Sequence, residues 1–159
     1  AHERGKGIVI VVNKWDAIEK DEKTVQKMTK DIRNTLSFMT YAPMLFISAK
    51  TGRRVEQIYK TIEYVVAQSE KRIPTSKFNE ALVDFVAMKE PPSQNGRRLK
   101  IYYGSQTGIK PPTFVIFVND GSLMHFSYKR YLENKINETF DFDGTPFRVF
   151  IRDRKQDDE

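Results

Sequence analysis

The sequence contains no cysteine. That excludes disulfides, zinc–thiolate sites, iron–sulfur clusters and cysteine nucleophiles, and it suits a cytoplasmic, reducing setting. Histidine occurs only as His2 and His125, without metal-ligand spacing, and both read as structural or exposed residues. No apolar run approaches the ~20 residues of a membrane span. Ile8 to Val12, which no other apolar run exceeds, is a strand-length piece. The opening Ala1-His2-Glu3-Arg4-Gly5-Lys6 lacks the apolar stretch of a signal peptide, so no membrane partner is expected. A phosphate-cradling G-x-x-x-x-G-K-[S/T] loop is also missing, since Gly5-Lys6-Gly7 has neither the spacing nor a preceding strand. No D-x-x-G follows a strand, and no threonine can be assigned to a magnesium-sensing switch.

What is present is a chain of 159 residues that is 39% apolar, enough for one ordinary domain or two small ones. Its net charge is +6, with a pI near 9.4. Such an excess favours a polyanionic partner without requiring one. The excess lies mostly in residues 1–72, which hold 14 Lys+Arg against 9 Asp+Glu; residues 73–159 hold 13 against 12.

Residues 1–72 alternate strand and helix signals. Gly7–Val12 is a continuous β-branched run, the pattern of a parallel strand buried on both faces. Val25, Met28, Ile32, Leu36 and Met39 recur at 3–4 spacing and predict an amphipathic helix over 24–39. Pro43–Ile47 predicts a second buried strand, and Val55, Ile58, Ile62, Val65 and Val66 mark the face of another helix. Strand, helix, strand, helix is an α/β signature. Residues 73–159 read differently. The expected order is a helix over 77–89, a loop at 93–96, a strand over 99–103, a joining stretch from Gly104 to Pro112, a strand over 113–119, a helix over 127–140 and a strand over 147–152. That is α-β-β-α-β, followed by a charged tail from Asp153.

The chemistry-bearing motif is Asn13-Lys14-Trp15-Asp16, at the carboxyl end of the first strand, where open α/β sheets bind ligands. A carboxylate at Asp16 can accept two hydrogen bonds from the ring imino and exocyclic amino groups of guanine. Adenine has no such donor pair and would leave the carboxylate unpaired, at about 1–3 kcal/mol. The stem of Lys14 can lie over a base with its ammonium in water. The Asn13 amide can donate and accept, and so can tie loops together. Trp15, at the variable position, is expected to pack beside the sheet. Thirty-two residues after Asp16, Ser48-Ala49-Lys50 follows the second strand. A backbone N–H there can meet the guanine carbonyl, and the Lys50 stem can cover the other side of the base. The same loops would also serve as plain strand-to-helix connections, with Asp16 as a helix cap.

These two pieces resemble the base-recognition motifs of the Ras-like GTPase superfamily. The stretch Leu99–Asp120, with His125–Asn134 and Phe142-Asp143-Gly144-Thr145-Pro146, resembles the C-terminal part of the Der (EngA) family, bacterial tandem GTPases with a C-terminal KH-like domain. The resemblance covers essentially the whole chain. It implies the end of a Ras-like P-loop GTPase domain (α/β) over 1–72 and an α+β KH-like domain over 73–159. It further implies GTP/GDP as ligand, with magnesium held by residues absent from these 159. The base would be recognised by Asn13, Lys14, Trp15, Asp16, Ser48, Ala49 and Lys50. The partners implied are the large ribosomal subunit or its precursor, rRNA, and GTPase domains of the same molecule.

The chain departs from RNA-binding KH domains in lacking a G-x-x-G loop, because Asp120-Gly121-Ser122-Leu123 has one glycine and an acid that repels phosphate. RNA contact would then fall to side-chain charge, with Lys129, Arg130, Lys135, Arg97, Arg98, Lys100 and Lys110 as carriers. Tyr102, Tyr103, Phe114, Phe117, Tyr128 and Tyr131 are expected in the core rather than as base-stacking platforms. Two other readings compete with this one. An Era-like GTPase–KH protein would need the missing G-x-x-G loop, and a free-standing RNA-binding or scaffold module would need the Asn-Lys-Trp-Asp loop to be accidental. With no phosphate loop, the chain by itself is expected to be catalytically inactive.

Overall fold

The computed structural model describes residues 1–15 and 22–154, the latter segment beginning with the backbone of Glu22. Asp16 and the acidic end of the tail, residues 155–159, lie outside the described residues. The chain divides into two compact units. Unit 1 comprises Ala1–Glu70 and Phe142–Pro146, and unit 2 comprises Lys71–Asp141 and Phe147–Glu159.

Unit 1 runs β1 (Ile10–Val12), α1 (Glu22–Thr35), β2 (Met44–Phe46) and α2 (Glu56–Ser69). A separate 3₁₀ turn at Ser37–Met39 ends the first helical stretch early, after a non-helical Leu36. β1 and β2 pair in parallel, Ile10 opposite Met44 and Val12 opposite Phe46, so both point their carboxyl ends the same way. The expectation of strands buried on both faces fails. No residue of either strand is buried, and Val11 is 40% exposed. Among the described residues this sheet has two strands, so neither has neighbours on both edges. On α2, likewise, Val65 is buried but Ile62 and Val66 stand in solvent.

Phe142–Pro146 is bound into unit 1 by backbone hydrogen bonds. Gly144 N–H donates to the Tyr41 carbonyl at 2.9 Å, and its own carbonyl accepts from Ile8 N–H at 2.8 Å. Gly144 has φ +77°, a left-handed conformation that suits glycine. His2 is structural, as expected, with its ring against Tyr41 and Nδ1 2.8 Å from the Tyr41 hydroxyl.

Unit 2 is built from α3 (Thr75–Met88), a small hairpin β3 (Ser93–Gln94) and β4 (Arg97–Arg98), then β5 (Ile101–Gly108), β6 (Thr113–Val118), α4 (Phe126–Phe140) and β7 (Arg148–Asp153). The sheet order is β5-β6-β7, with β5 antiparallel and β7 parallel to β6. Alternation along β6 sends Phe114, Ile116 and Val118 inward against Phe78, Leu82 and Phe85 of α3 and Leu132 and Ile136 of α4. Tyr128, also buried, keeps its hydroxyl satisfied by donating to the Lys89 carbonyl at 2.8 Å.

Three expectations change here. Residues 93–96 form a two-residue hairpin rather than an open loop, because Asn95 (φ +52°) and Gly96 (φ +75°) supply the left-handed pair such a turn needs. The stretch from Gly104 to Gly108 continues β5 rather than joining strands. Its glycine is a close-approach position, since a Cβ on Gly104 would lie 2.6 Å from Phe78. The Asn79 side chain then pairs with the outer edge at Gly104, donating to its carbonyl at 2.9 Å and accepting its N–H at 2.8 Å. Finally, Asp153 belongs to β7 rather than to a frayed tail, and its carboxylate accepts Gly121 N–H at 2.5 Å.

Candidate functional site

The site expected from sequence lies within unit 1, at the carboxyl ends of β1 and β2. After Val12 the chain turns through Lys14, whose φ of +62° is uncommon for a side chain of that size. This turn sends Trp15 inward. Trp15 is 4% exposed, packs on Phe46 with ring centroids 4.7 Å apart, and donates its backbone N–H to the Ile47 carbonyl at 3.1 Å. Ile47 N–H in turn donates to the Val12 carbonyl at 2.8 Å, which extends the parallel pairing to the loop mouths. A buried tryptophan directly after two exposed polar residues thus anchors the first loop and leaves Asn13 and Lys14 in solvent.

A side-chain hydrogen bond ties the second loop to the first: Asn13 Oδ1 accepts Ala49 N–H at 3.0 Å. Ser48 is 1% exposed. Its hydroxyl accepts Thr51 N–H at 3.2 Å, and its N–H donates to the Arg53 carbonyl at 3.1 Å. Thr51 and Arg53 were missed from sequence; the only local signal was the turn glycine, Gly52 (φ +73°). Ala49 and Lys50 are exposed. The structure therefore brings Asn13, Lys14 and Trp15 beside Ser48, Ala49 and Lys50. Asp16 lies outside the described residues.

The basic residues proposed for nucleic-acid contact in unit 2 are largely engaged. Arg97 pairs with Asp120 at 3.2 Å, Arg98 with Glu90 at 2.8 Å, Lys129 with Glu133 at 3.7 Å and Lys135 with Glu138 at 3.4 Å. Hydrogen bonds from the Ser122 hydroxyl and N–H, with Arg97 nearby, hold the Asp120 carboxyl below its ordinary value. Gly121 N–H, which a phosphate clamp would need, is taken by Asp153. Of the six aromatics expected in the core, Phe114 and Tyr128 are buried, Phe117 and Tyr131 are half-buried, and Tyr102 and Tyr103 are each 45% exposed. β5 is an edge strand, and Tyr103 faces away from both helices, which explains its exposure.

Among the described residues no cluster of three or more His, Asp or Glu could hold a metal ion. Among the described residues no helix is long and apolar enough to cross a membrane.

Comparison with known proteins gives a consistent answer. Residues 72–152 match the family model described as the KH-domain-like C-terminal part of EngA bacterial GTPase enzymes. The α-β-β-α-β order of unit 2, with helices on one sheet face, agrees with that description. The GTPase Der of Lachnoclostridium phytofermentans is 56% identical over 158 residues, covering 99% of this chain and 36% of its own length. The GTPase Der of Desulfitobacterium hafniense is 53% identical over 159 residues, again 36% of its length. That of Geobacillus sp. (strain WCH70) is 52% identical over 155 residues. The chain thus spans about a third of the curated relatives it matches. With one family model covering half of its residues and these relatives aligned along nearly all of them, the chain belongs to the EngA (Der) family of bacterial GTPases.

Proposed function

We propose that this chain is the guanine-recognising end of a Ras-like GTPase domain followed by a KH-like domain, within a longer protein that binds and hydrolyses GTP during assembly of the large ribosomal subunit in the cytoplasm. The observation that carries the reading is the 3.0 Å bond from Ala49 N–H to Asn13 Oδ1, which joins the two base-recognition loops at the ends of parallel strands. The name GTPase, borne by relatives more than half identical, supports it.

On this reading the exposed stems of Lys14 and Lys50 sandwich the base, and Asp16 accepts from its imino and amino groups. Ser48 and Ala49 N–H groups are engaged internally, so the guanine carbonyl takes its hydrogen bond from Lys50 N–H, or from Ala49 once Asn13 turns to the base. Trp15 holds the loop and does not touch the nucleotide. The 159 residues fit the base of GTP or GDP but include no phosphate loop, so the phosphates and magnesium are held elsewhere in the longer protein. Its partners are the precursor of the large subunit, with rRNA, and GTPase domains of the same molecule.

Asp16→Asn in the full-length protein tests this. The change sets an amide donor against guanine's amino group, and GTP affinity falls by about 2–4 kcal/mol. Xanthosine triphosphate, with a carbonyl there, becomes the preferred ligand. GTP affinity unchanged within twofold would refute the assignment.

A further inference from the structure

Seven asparagines occur in the chain, and one of them, Asn95, is followed by glycine. Asn95 and Gly96 are the two turn residues of the β3–β4 hairpin, with φ of +52° and +75°, and both are exposed. Among the described residues neither the Asn95 side-chain amide nor the Gly96 N–H makes a hydrogen bond. A Cβ on Gly96 would meet no atom within 4 Å, so the space around this glycine is open. The hairpin has two residue pairs, Ser93–Arg98 and Gln94–Arg97, and one this short is marginal by itself. It is tied to the rest of unit 2 by the Arg98–Glu90 and Arg97–Asp120 ion pairs and by Asn119 Nδ2, which donates to the Arg98 carbonyl at 3.2 Å. Solvent-accessible ion pairs restrain such a turn weakly, and it opens readily. The other asparagines are placed differently. Asn13, Asn79 and Asn119 hold their side chains in hydrogen bonds, and Asn34, Asn134 and Asn137 lie inside α1 and α4.

We propose that Asn95-Gly96 is a modification site, where the folded chain deamidates with water as the only co-reactant. The Gly96 nitrogen gives its proton to solvent base and attacks Asn95 Cγ. A new N–Cγ bond closes a five-membered succinimide. The bond from Cγ to the amide nitrogen breaks, and that nitrogen takes a proton from solvent and leaves as ammonia. Water then adds to one of the two imide carbonyls. Breaking the N–Cγ bond leaves an aspartate. Breaking the bond from the Gly96 nitrogen to the main-chain carbonyl carbon leaves an isoaspartate, with the chain routed through Cβ. No group is oxidised or reduced. Glycine matters because a side chain on residue 96 would shield the attacking nitrogen. Either product adds a carboxylate two and three residues before Arg97 and Arg98 and lowers the net charge of +6 by one. The isoaspartate also lengthens the main chain by a methylene, so the two-residue turn and the Gln94–Arg97 register are lost. Arg97 and Arg98 are then no longer held opposite Asp120 and Glu90. The inference does not depend on the guanine reading.

The test incubates the whole folded 159-residue chain at mildly alkaline pH and maps tryptic peptides by mass spectrometry over time. The peptide Glu90–Arg97 carries the site. It should convert to two isomers of equal mass, each heavier by the difference between an acid and an amide. Fragment ions should place the change at Asn95 and not at Gln94. One isomer should accept a methyl group from a protein isoaspartyl methyltransferase. The six other asparagines should stay intact over the same time. Asn95→Gln would have to close a six-membered ring and should lose the conversion. Arg98→Gln removes the contact with Glu90 and should speed it, because the hairpin opens more often. Circular dichroism checks that each variant folds. If Asn95 stays an amide in the folded chain but converts in the same chain unfolded in urea, the turn protects it and the proposal is overturned. Conversion of another asparagine before Asn95 would overturn it as well.

Discussion

Gly104 sits in mid-β5, where α3 comes closest to the sheet, and Gly104→Ala is the sharpest probe of how unit 2 is held together. The new Cβ would lie 2.6 Å from Phe78 Cε1, 3.0 Å from Leu82 Cδ1 and 3.0 Å from the Val115 carbonyl oxygen. Phe78 is fully buried and stacked on Phe114 at 4.8 Å, so its ring has nowhere to turn; the Val115 oxygen is backbone of the partner strand. α3 and β5 must separate. Overpacking of this kind costs about 1–3 kcal/mol. Separation also stretches the two Asn79–Gly104 hydrogen bonds, each worth about 0.5–1.5 kcal/mol. Removing glycine's backbone freedom returns about 0.5–1 kcal/mol. The balance is a loss of about 2–3 kcal/mol. Urea unfolding followed by far-UV circular dichroism should show a midpoint lower by about 1 M. Amide exchange at Ile116 and Val118 should accelerate. Asn79→Ala removes the same contact, so the double variant should be less destabilised than the sum of the singles. A midpoint at or above that of the parent, or strict additivity, would refute this account of the α3–β5 contact.

Gly144→Ala should destabilise unit 1 by about 2–4 kcal/mol, because φ is +77° and the added methyl would overlap Val65; emission of Trp15, the single tryptophan, should shift to the red at lower urea, and an unchanged midpoint would contradict the role given to Phe142–Pro146. Burial, with Tyr131 and Glu90 nearby, pushes the Tyr128 hydroxyl up from 10.0 to about 12. Tyr128 therefore stays protonated in the folded state while the unfolded chain ionises, so stability falls between pH 10 and 12; this part of the profile should be absent in Tyr128→Phe, measured as midpoint against pH. Asp120, held below its ordinary 3.8 by Ser122 and Arg97, favours folding above that pH and loses its contribution as pH falls below it, and Asp120→Asn should flatten that limb of the acid unfolding curve. Finally, the purified 159-residue chain should hydrolyse no GTP above background and bind it more weakly than millimolar, as judged by phosphate release and calorimetry; multiple turnover would refute the reading.

Much of this protein was legible in its sequence because it is local. The Asn-Lys-Trp-Asp and Ser-Ala-Lys pieces each follow a short apolar strand, and their residue types announce their chemistry before any contact is known. Periodicity located the four helices within a few residues, since one face of a helix is written at fixed spacing. The α-β-β-α-β order of unit 2 was read in the same way. What the tertiary structure decided is what depends on partners distant in sequence. Gly104 reads as a breaker until α3 is seen to need its missing side chain and Asn79 to complete its edge. Phe142–Pro146 reads as part of the second unit until Gly144 is seen bonded to Tyr41 and Ile8. Trp15 owes its burial to Phe46, and Ser48 its position to Arg53. The strand runs promised burial that a two-stranded sheet cannot provide, because burial depends on neighbours and not on the strand's own residues. Likewise Tyr103, Phe117 and Phe150 come from three separate strands, and only the register of the sheet brings them to one face.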